Sequence, residues 1–335
     1  MKTLKLDGKG KARIVEAPEP TPGSGQVVIQ TRMSALCGSE MSRFRGAGME
    51  KGNSGHEGIG KVIRLGEGVT RVKLGDRVGA SAIAGCGRAD CEYCRAGQST
   101  WCPGRKFYGS MHAEQFLTAE TACLPLPEDV PDDVGVLIAG DGLGVPYHTS
   151  VKLAAEDIHT IAVFGLGPIG LGSLLLQAWL GRRLIAVDLS PERLVLAGGL
   201  GAALTVNAAV QNPVEAIKAA TEGRGADACI EAAGVPLTAR QCFQAVRTAG
   251  WVAFNGEQKS IELSPSEDLI RRDVRAVGSW YFQVGEYPEM LRLYRDGLPV
   301  KSLATHVFPF ERVQEAYDRF AAGVTGKVLL RYETR

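Results

Sequence analysis

The sequence has almost no excess of either charge: 38 Lys and Arg stand against 37 Asp and Glu, leaving a formal net charge of +1. Without a basic or acidic surplus there is no electrostatic footprint for nucleic acid or an anionic membrane, so small molecules and further copies of the chain are the expected partners. A secretory leader is missing too. Met1 to Gly10 carries Lys2, Lys5 and Lys9 and no apolar run, which points to a reducing, cytoplasmic compartment. No internal repeat or low-complexity tract breaks the chain. One uncharged stretch, Ile161 to Gly181, is long enough to span a bilayer, but its five glycines and Pro168 make it read as a buried strand feeding a buried helix.

The 335 residues leave room for about two domains at the usual ~100–200 residues each, and the 42 glycines mark many tight turns. Up to about residue 150 the texture is all-β: Gln26 to Arg32 (QVVIQTR), Gly58 to Leu65 (GIGKVIRL), then the LGDRVG turn from Leu74 to Gly79. From about Asp157 strands and helices alternate: IAVFG, a long helix, LIAVD, a helix from Pro191 to Gly199, ALTVN, a helix from Pro213, DACIEAAG, a helix from Leu237, and WVAFNG. That alternation predicts a doubly wound parallel sheet, hence an α/β protein. The rhythm breaks near Val277 to Phe282. Two amphipathic helices and a strand, KVLLRYE, then follow and are expected to return to the first domain.

What the chain has in concentration is cysteine. Cys86, Cys91, Cys94 and Cys102 fall within seventeen residues among Gly85, Gly87, Asp90 and Gly97. A CxxC knuckle with a thiolate on either side can close a tetrahedron around Zn²⁺. Disulfides fit a reducing compartment poorly, and a redox CxxC needs only two cysteines. Gly165-Leu-Gly167-Pro-Ile-Gly170 follows a strand and opens a helix. Gly165 can make the tight turn, Gly167 can admit a pyrophosphate to the backbone, and Gly170 can let helix and strand close up. Asp188 ends the next strand, placed to accept ribose hydroxyls and repel a 2′-phosphate, which favours NAD over NADP; Arg193, one turn on, can flank the ribose or soften that repulsion. Cys37 (SALCGSE), His56 (SGHEG) and Asp141 (AGDGLG) sit beside glycines that present side chains from loops. Singly, Cys37 reads as a buried small residue and His56 as a surface histidine; together with Asp141 and a water they make an open catalytic zinc site. His112, His148, His159 and His306 read as surface or capping groups.

Taken in order, CGSE at 37, GHEG at 55, LGDRV at 74, the four cysteines, GLGPIG at 165 and Asp188 resemble the zinc-dependent medium-chain dehydrogenases, the superfamily of alcohol, polyol and threonine dehydrogenases. The resemblance implies a GroES-like β-rich catalytic domain (1–150 with 284–335, carrying a zinc lobe at 85–103) and a Rossmann NAD-binding domain (151–283), with the active site in the cleft between them. It implies two zinc ions per chain. Cys37 and His56 match the first two catalytic ligands; the third is Asp141 or the exchangeable Glu57, which polyol dehydrogenases use. Ser39 matches the hydroxyl that takes the substrate proton, Glu40 the carboxylate that orients the zinc-bound histidine, and Ile169 a residue packing on the nicotinamide. Two departures stand out. Ser42 stands where the family has the histidine that carries the relay to solvent, so either Ser42 with water continues the relay or the proton leaves by another route, and four residues separate Cys86 from Cys91 where two are usual. The implied activity is hydride transfer between a secondary alcohol of a polyol, sugar or cyclitol and NAD, by a homodimer or homotetramer. The rival readings are a zinc-free enone or quinone reductase of the same fold and a nucleotide-binding protein without turnover.

Overall fold

A computed structural model describes residues 1–333. The chain forms two compact units: one comprises Met1–Gly144, Phe282–Gly323 and the chain from Lys327 on, the other Val145–Tyr281 with Val324–Gly326.

The first unit is built on a seven-stranded sheet in the order Ala304–Pro309, Lys327–Arg331, Gln26–Ala35, Gly58–Leu65, Arg77–Ala80, Cys123–Pro125, with Gln115–Ala119 also on Gln26–Ala35. The run QVVIQTRMSA is rich in β-branched and apolar residues, and it continues three residues past the expected Arg32 to pair with neighbours on either side. Its register places Ser34 opposite both Gly58 and Leu330, and Ala35 opposite Leu329. The Ala35 amide donates to the Glu57 carbonyl (3.1 Å) and the Leu36 amide to that of Val328 (2.9 Å). Antiparallel pairing therefore delivers three remote pieces of chain, Cys37, His56–Glu57 and Lys327, to one end of the sheet. A fourth arrives from the helix Asp132–Ile138, whose following residues pack so closely that a Cβ on Gly79 would lie 2.3 Å from Ala139 Cβ and one on Gly140 would lie 2.6 Å from the Glu57 carboxylate. Those two glycines let Asp141 start the next helix, Asp141–Lys152, against the same sheet end.

The second unit holds a six-stranded parallel sheet in the order Ala202–Asn207, Arg183–Asp188, Thr160–Phe164, Ala226–Glu231, Val246–Phe254, Arg275–Gly278. In chain order this is 3-2-1-4-5-6, whose reversal beside Thr160–Phe164 is the ligand-binding switch point of a Rossmann sheet. The uncharged run Ile161 to Gly181 falls into the strand Thr160–Phe164, a turn, and the helix Pro168–Trp179. Among the described residues, no helix is long and apolar enough to cross a membrane. Proline at the first turn starts the helices at Pro168, Pro191, Pro213 and Pro236, and Ser190 and Asn212 cap two of them with side-chain oxygens.

Candidate metal centres and nucleotide site

At the sheet end of the first unit, one ligand atom each from Cys37, His56, Glu57 and Asp141 lies within 4.8 Å of the others. Cys37 Sγ is 3.4 Å and His56 Nε2 3.1 Å from Asp141 Oδ2. Bonds of about 2.0–2.3 Å to a tetrahedral zinc put ligand atoms roughly 3.3–3.8 Å apart, so these side chains are already near the edges of such a shell. His56 Nδ1 is held 2.9 Å from the Ser54 carbonyl. That carbonyl accepts from Nδ1–H, so Nε2 is the nitrogen a metal would use once it displaces the proton there.

Glu57 is fully buried; one carboxylate oxygen accepts the Asp141 amide (2.9 Å) and the other is ion-paired with Lys327, itself fully buried. Sequence reading missed Lys327, which looks like an ordinary strand lysine until the register sets it against Cys37. With Glu57 and Lys327 paired to each other, Cys37 and Asp141, as a thiolate and a carboxylate, would offer a bound metal two negative charges. Asp141 Oδ1 is buried without a hydrogen-bond partner among the described residues. An unsatisfied carboxylate oxygen is costly to bury. Burial alone would depress the His56 pKa, but the Cys37 thiolate and the Asp141 carboxylate outweigh it and hold it well above the ordinary value. The pocket therefore favours a cation, and its N, S and O donors suit zinc.

The residues around this centre depart from expectation at two points. Glu40 does not meet His56. The three-residue turn Gly38–Glu40 closes a capping box in which the Cys37 amide donates to Glu40 Oε1 (2.9 Å), and its other oxygen takes the Ser54 hydroxyl (3.3 Å) and that of Tyr317. The longer Glu side chain folds back on its own turn, so it reaches His56 only through Ser54. His112 and His148, expected at the surface, are buried; His112 Nε2 lies 3.1 Å from Glu40 Oε2. Full burial pushes the Glu40 carboxyl up, but the His112 ring and the Tyr317 hydroxyl hold it down, to about 2. Ser39 is exposed, and Ser42 Oγ donates to the Ser39 carbonyl at 3.3 Å.

The second cluster is the four cysteines. Sγ–Sγ separations are 3.7 Å for Cys86–Cys94, 3.8 Å for Cys91–Cys102 and 3.7 Å for Cys94–Cys102. Four sulfurs about 2.3 Å from a central zinc would be about 3.8 Å apart, whereas a disulfide brings its sulfurs to about 2.05 Å. All four thiols are free. The longer Cys86–Cys91 loop is accommodated by a turn with Gly87 at positive φ and an Arg88–Asp90 ion pair, so the added residues displace no sulfur.

In the second unit Gly165 takes φ +88°, and a Cβ on Gly170 would fall 1.8 Å from the Gly165 carbonyl oxygen, so neither position admits a side chain. Gly167 faces open space, with nothing within 4 Å of a Cβ placed there, and Ile169 is half-buried. Asp188 Oδ2 accepts the Leu166 amide at 2.6 Å and Oδ1 the Ser190 amide at 2.9 Å. Arg193 is anchored by its Nε, which donates to the Thr325 carbonyl at 3.2 Å.

A β-rich unit bearing an open Cys–His–carboxylate set beside a closed four-thiolate knot, followed by a Rossmann sheet, defines a zinc-type dehydrogenase. Residues 23–128 match the alcohol dehydrogenase GroES-like domain and residues 168–296 the zinc-binding dehydrogenase family. The chain is 30% identical over 346 residues to the uncharacterised zinc-type alcohol dehydrogenase-like protein YphC of Escherichia coli, covering 98% of this chain and 97% of that one. It is 30% identical over 348 residues to L-threonine 3-dehydrogenase of Symbiobacterium thermophilum, with 97% and 96% covered. The crystal structure of galactitol-1-phosphate dehydrogenase from Escherichia coli matches it with a TM-score of 0.85 at 26% identity, over 99% of this chain and 100% of that one. The chain belongs to the zinc-type alcohol dehydrogenases of the medium-chain superfamily, and the expected α/β fold class holds.

Proposed function

We propose that the protein is an NAD-dependent dehydrogenase with two zinc ions per chain, oxidising a secondary alcohol of a polyol, sugar or cyclitol or reducing the matching carbonyl. The observation that carries this reading is the convergence of the Cys37, His56 and Asp141 ligand atoms within 4.8 Å, with one buried Asp141 oxygen unsatisfied. Cys37, His56 and Asp141 would hold the reacting metal. Both Glu57 oxygens are already engaged, by the Asp141 amide and Lys327, which supports Asp141 over Glu57 as third ligand. Cys86, Cys91, Cys94 and Cys102 would hold the second ion as a brace, since four thiolates leave no position for substrate. When bound, zinc supplies Lewis acidity toward a substrate oxygen and NAD supplies the hydride acceptor.

The chain's own residues do the rest. Ser54 fixes the His56 tautomer, and Glu40 fixes the Cys37 backbone. Ser39 takes the alcohol proton and, being exposed, passes it to solvent; the Ser42 proton is spent on the Ser39 carbonyl, which supports a relay without Ser42 as its next carrier. Asp188 disfavours a 2′-phosphate, which supports NAD over NADP. A relative named for L-threonine and a structural neighbour named for galactitol 1-phosphate support a polar hydroxyl substrate, and the same reading carries a homodimer or homotetramer. The test is a screen of the zinc-loaded protein with NAD and NADP against aliphatic alcohols, polyols, sugars, cyclitols and β-hydroxy amino acids. NAD-linked oxidation of a polyhydroxylated substrate is the expected result; activity confined to simple aliphatic alcohols would sink the substrate class.

A further inference from the structure

Behind the Cys37–His56–Asp141 centre lies a chain of buried polar side chains of which the proposed function uses only Glu40. Tyr332 Oη is 3.0 Å from Ser34 Oγ, Ser34 Oγ is 2.8 Å from His112 Nδ1, and His112 Nε2 is 3.3 and 3.1 Å from the two Glu40 oxygens. Ser34, Glu40, His112 and Tyr317 are at most 1% exposed and Tyr332 is 6% exposed. The donors can be assigned one by one. Glu40, ionised, accepts from the Cys37 amide, the Ser54 and Tyr317 hydroxyls and His112 Nε2–H. With its proton on Nε2, His112 offers Nδ1 as acceptor to Ser34 Oγ–H, and Ser34 accepts from Tyr332 Oη–H. Every proton in the chain is used once, and each buried oxygen and ring nitrogen named has a partner.

The network ends on two metal-ligand segments. Glu40 Oε1 holds the backbone of Cys37; Oε2 holds the Ser54 hydroxyl, and the Ser54 carbonyl holds the His56 ring. Of the side-chain donors to Glu40, Ser54 is only half-buried, whereas the Tyr317 hydroxyl and the His112 ring are fully buried; the ring lies against both carboxylate oxygens (3.3 and 3.1 Å) and is packed so tightly that a Cβ on Gly55 would come within 2.6 Å of it. The ring is a separate lever from its own backbone, which independently clamps the loop before His56: the His112 amide donates to Asn53 Oδ1 (3.1 Å), and its carbonyl accepts from Asn53 Nδ2 (3.1 Å).

We infer that His112 is a positioning residue for the reacting metal, acting through Glu40 to fix Cys37 and, by way of Ser54, His56. The inference rests on the metal-site reading above. Its test needs no substrate: zinc affinity by chelator competition, and the ligand-field and thiolate charge-transfer bands after cobalt replaces zinc. Loss of such a supporting contact typically weakens a site by about 10–100-fold. His112→Leu is expected to lower affinity in that range at one of the two metals and to shift the cobalt bands, leaving the four-cysteine ion as internal control. His112→Gln, whose amide nitrogen can replace Nε2–H, is expected within about threefold of the parent. An unchanged spectrum and affinity in a folded His112→Leu would overturn the inference, as would an equal loss in His112→Gln. Should His112→Leu not fold, Ser34→Ala keeps the ring but removes the hydroxyl at Nδ1: a several-fold loss supports the role and none overturns it. If the parent binds only the four-cysteine ion, the metal-site reading itself has failed, which separates the two.

Discussion

Replacing Asp188 is the obvious way to loosen the proposed preference for NAD, and the structure predicts a different outcome. Besides the ribose contact proposed for it, the carboxylate holds the backbone: one oxygen takes the Leu166 amide within the glycine turn (2.6 Å) and the other takes the Ser190 amide at the start of the next helix (2.9 Å). A hydrogen bond to a charged group contributes about 1.5–3 kcal/mol, and an abandoned buried donor costs about 1–3 kcal/mol. Leu166 is buried, so its amide has no ready substitute, whereas Ser190 is only half-buried and water can reach its amide. Asp188→Ser is therefore expected to destabilise the second unit by about 2–4 kcal/mol before any cofactor is present. Urea unfolding followed by tryptophan fluorescence reads this unit well, since Trp179, Trp251 and Trp280 lie in it and Trp101 in the other. Because cofactor binding must then rebuild the turn, a cost of about 2 kcal/mol weakens NAD about 30-fold, with no compensating gain for NADP. A variant as stable as the parent that simply exchanged NAD for NADP would refute the reasoning.

Two other perturbations have defined outcomes. Burial works to raise the Asp227 pKa, but the His159 and Thr160 amides (3.0 and 2.7 Å) and Arg247 (2.6 Å) reverse this and lower it. Its stabilisation is thus full above the unfolded pKa of about 3.9 and lost as pH falls through the lower folded value. Asp227→Asn should cost about 1.5–3 kcal/mol near pH 7, a deficit that shrinks below about pH 4 in urea titrations; a deficit independent of pH would contradict this. In the cysteine lobe, the observed sulfur spacings of 3.7–3.8 Å imply Zn–S distances of about 2.3 Å by X-ray absorption, and Cys94→Ala should lose one zinc. Retention of both ions would refute the assignment.

Much of the fold was legible because it is local. The strand Gly58–Leu65 ends where its β-branched run ends, and the strand, glycine turn and helix from Thr160 follow directly from residue texture. Cys37, His56, Asp141 and the four cysteines could be singled out because glycines flank or intersperse them. What escaped depends on distant chain. Nothing in SMHAE marks His112 as buried; its environment is made by Ser34, Glu40, Tyr317 and Tyr332. Lys327 becomes part of the centre only through strand register, and Glu40 was misdirected because its extra methylene folds back onto its own turn. Side chains whose partners lie some 70–300 residues away leave no periodic trace.

The proposed reacting metal sits on Cys37, His56 and Asp141, apart from the cysteine lobe. Zinc content of the parent and of Cys37→Ala, measured beside NAD-linked alcohol oxidation, tests it most directly. Two zinc ions per chain are expected in the parent, and one with oxidation abolished in the variant. A Cys37→Ala protein that kept both ions and oxidised alcohol at the parent rate would contradict it.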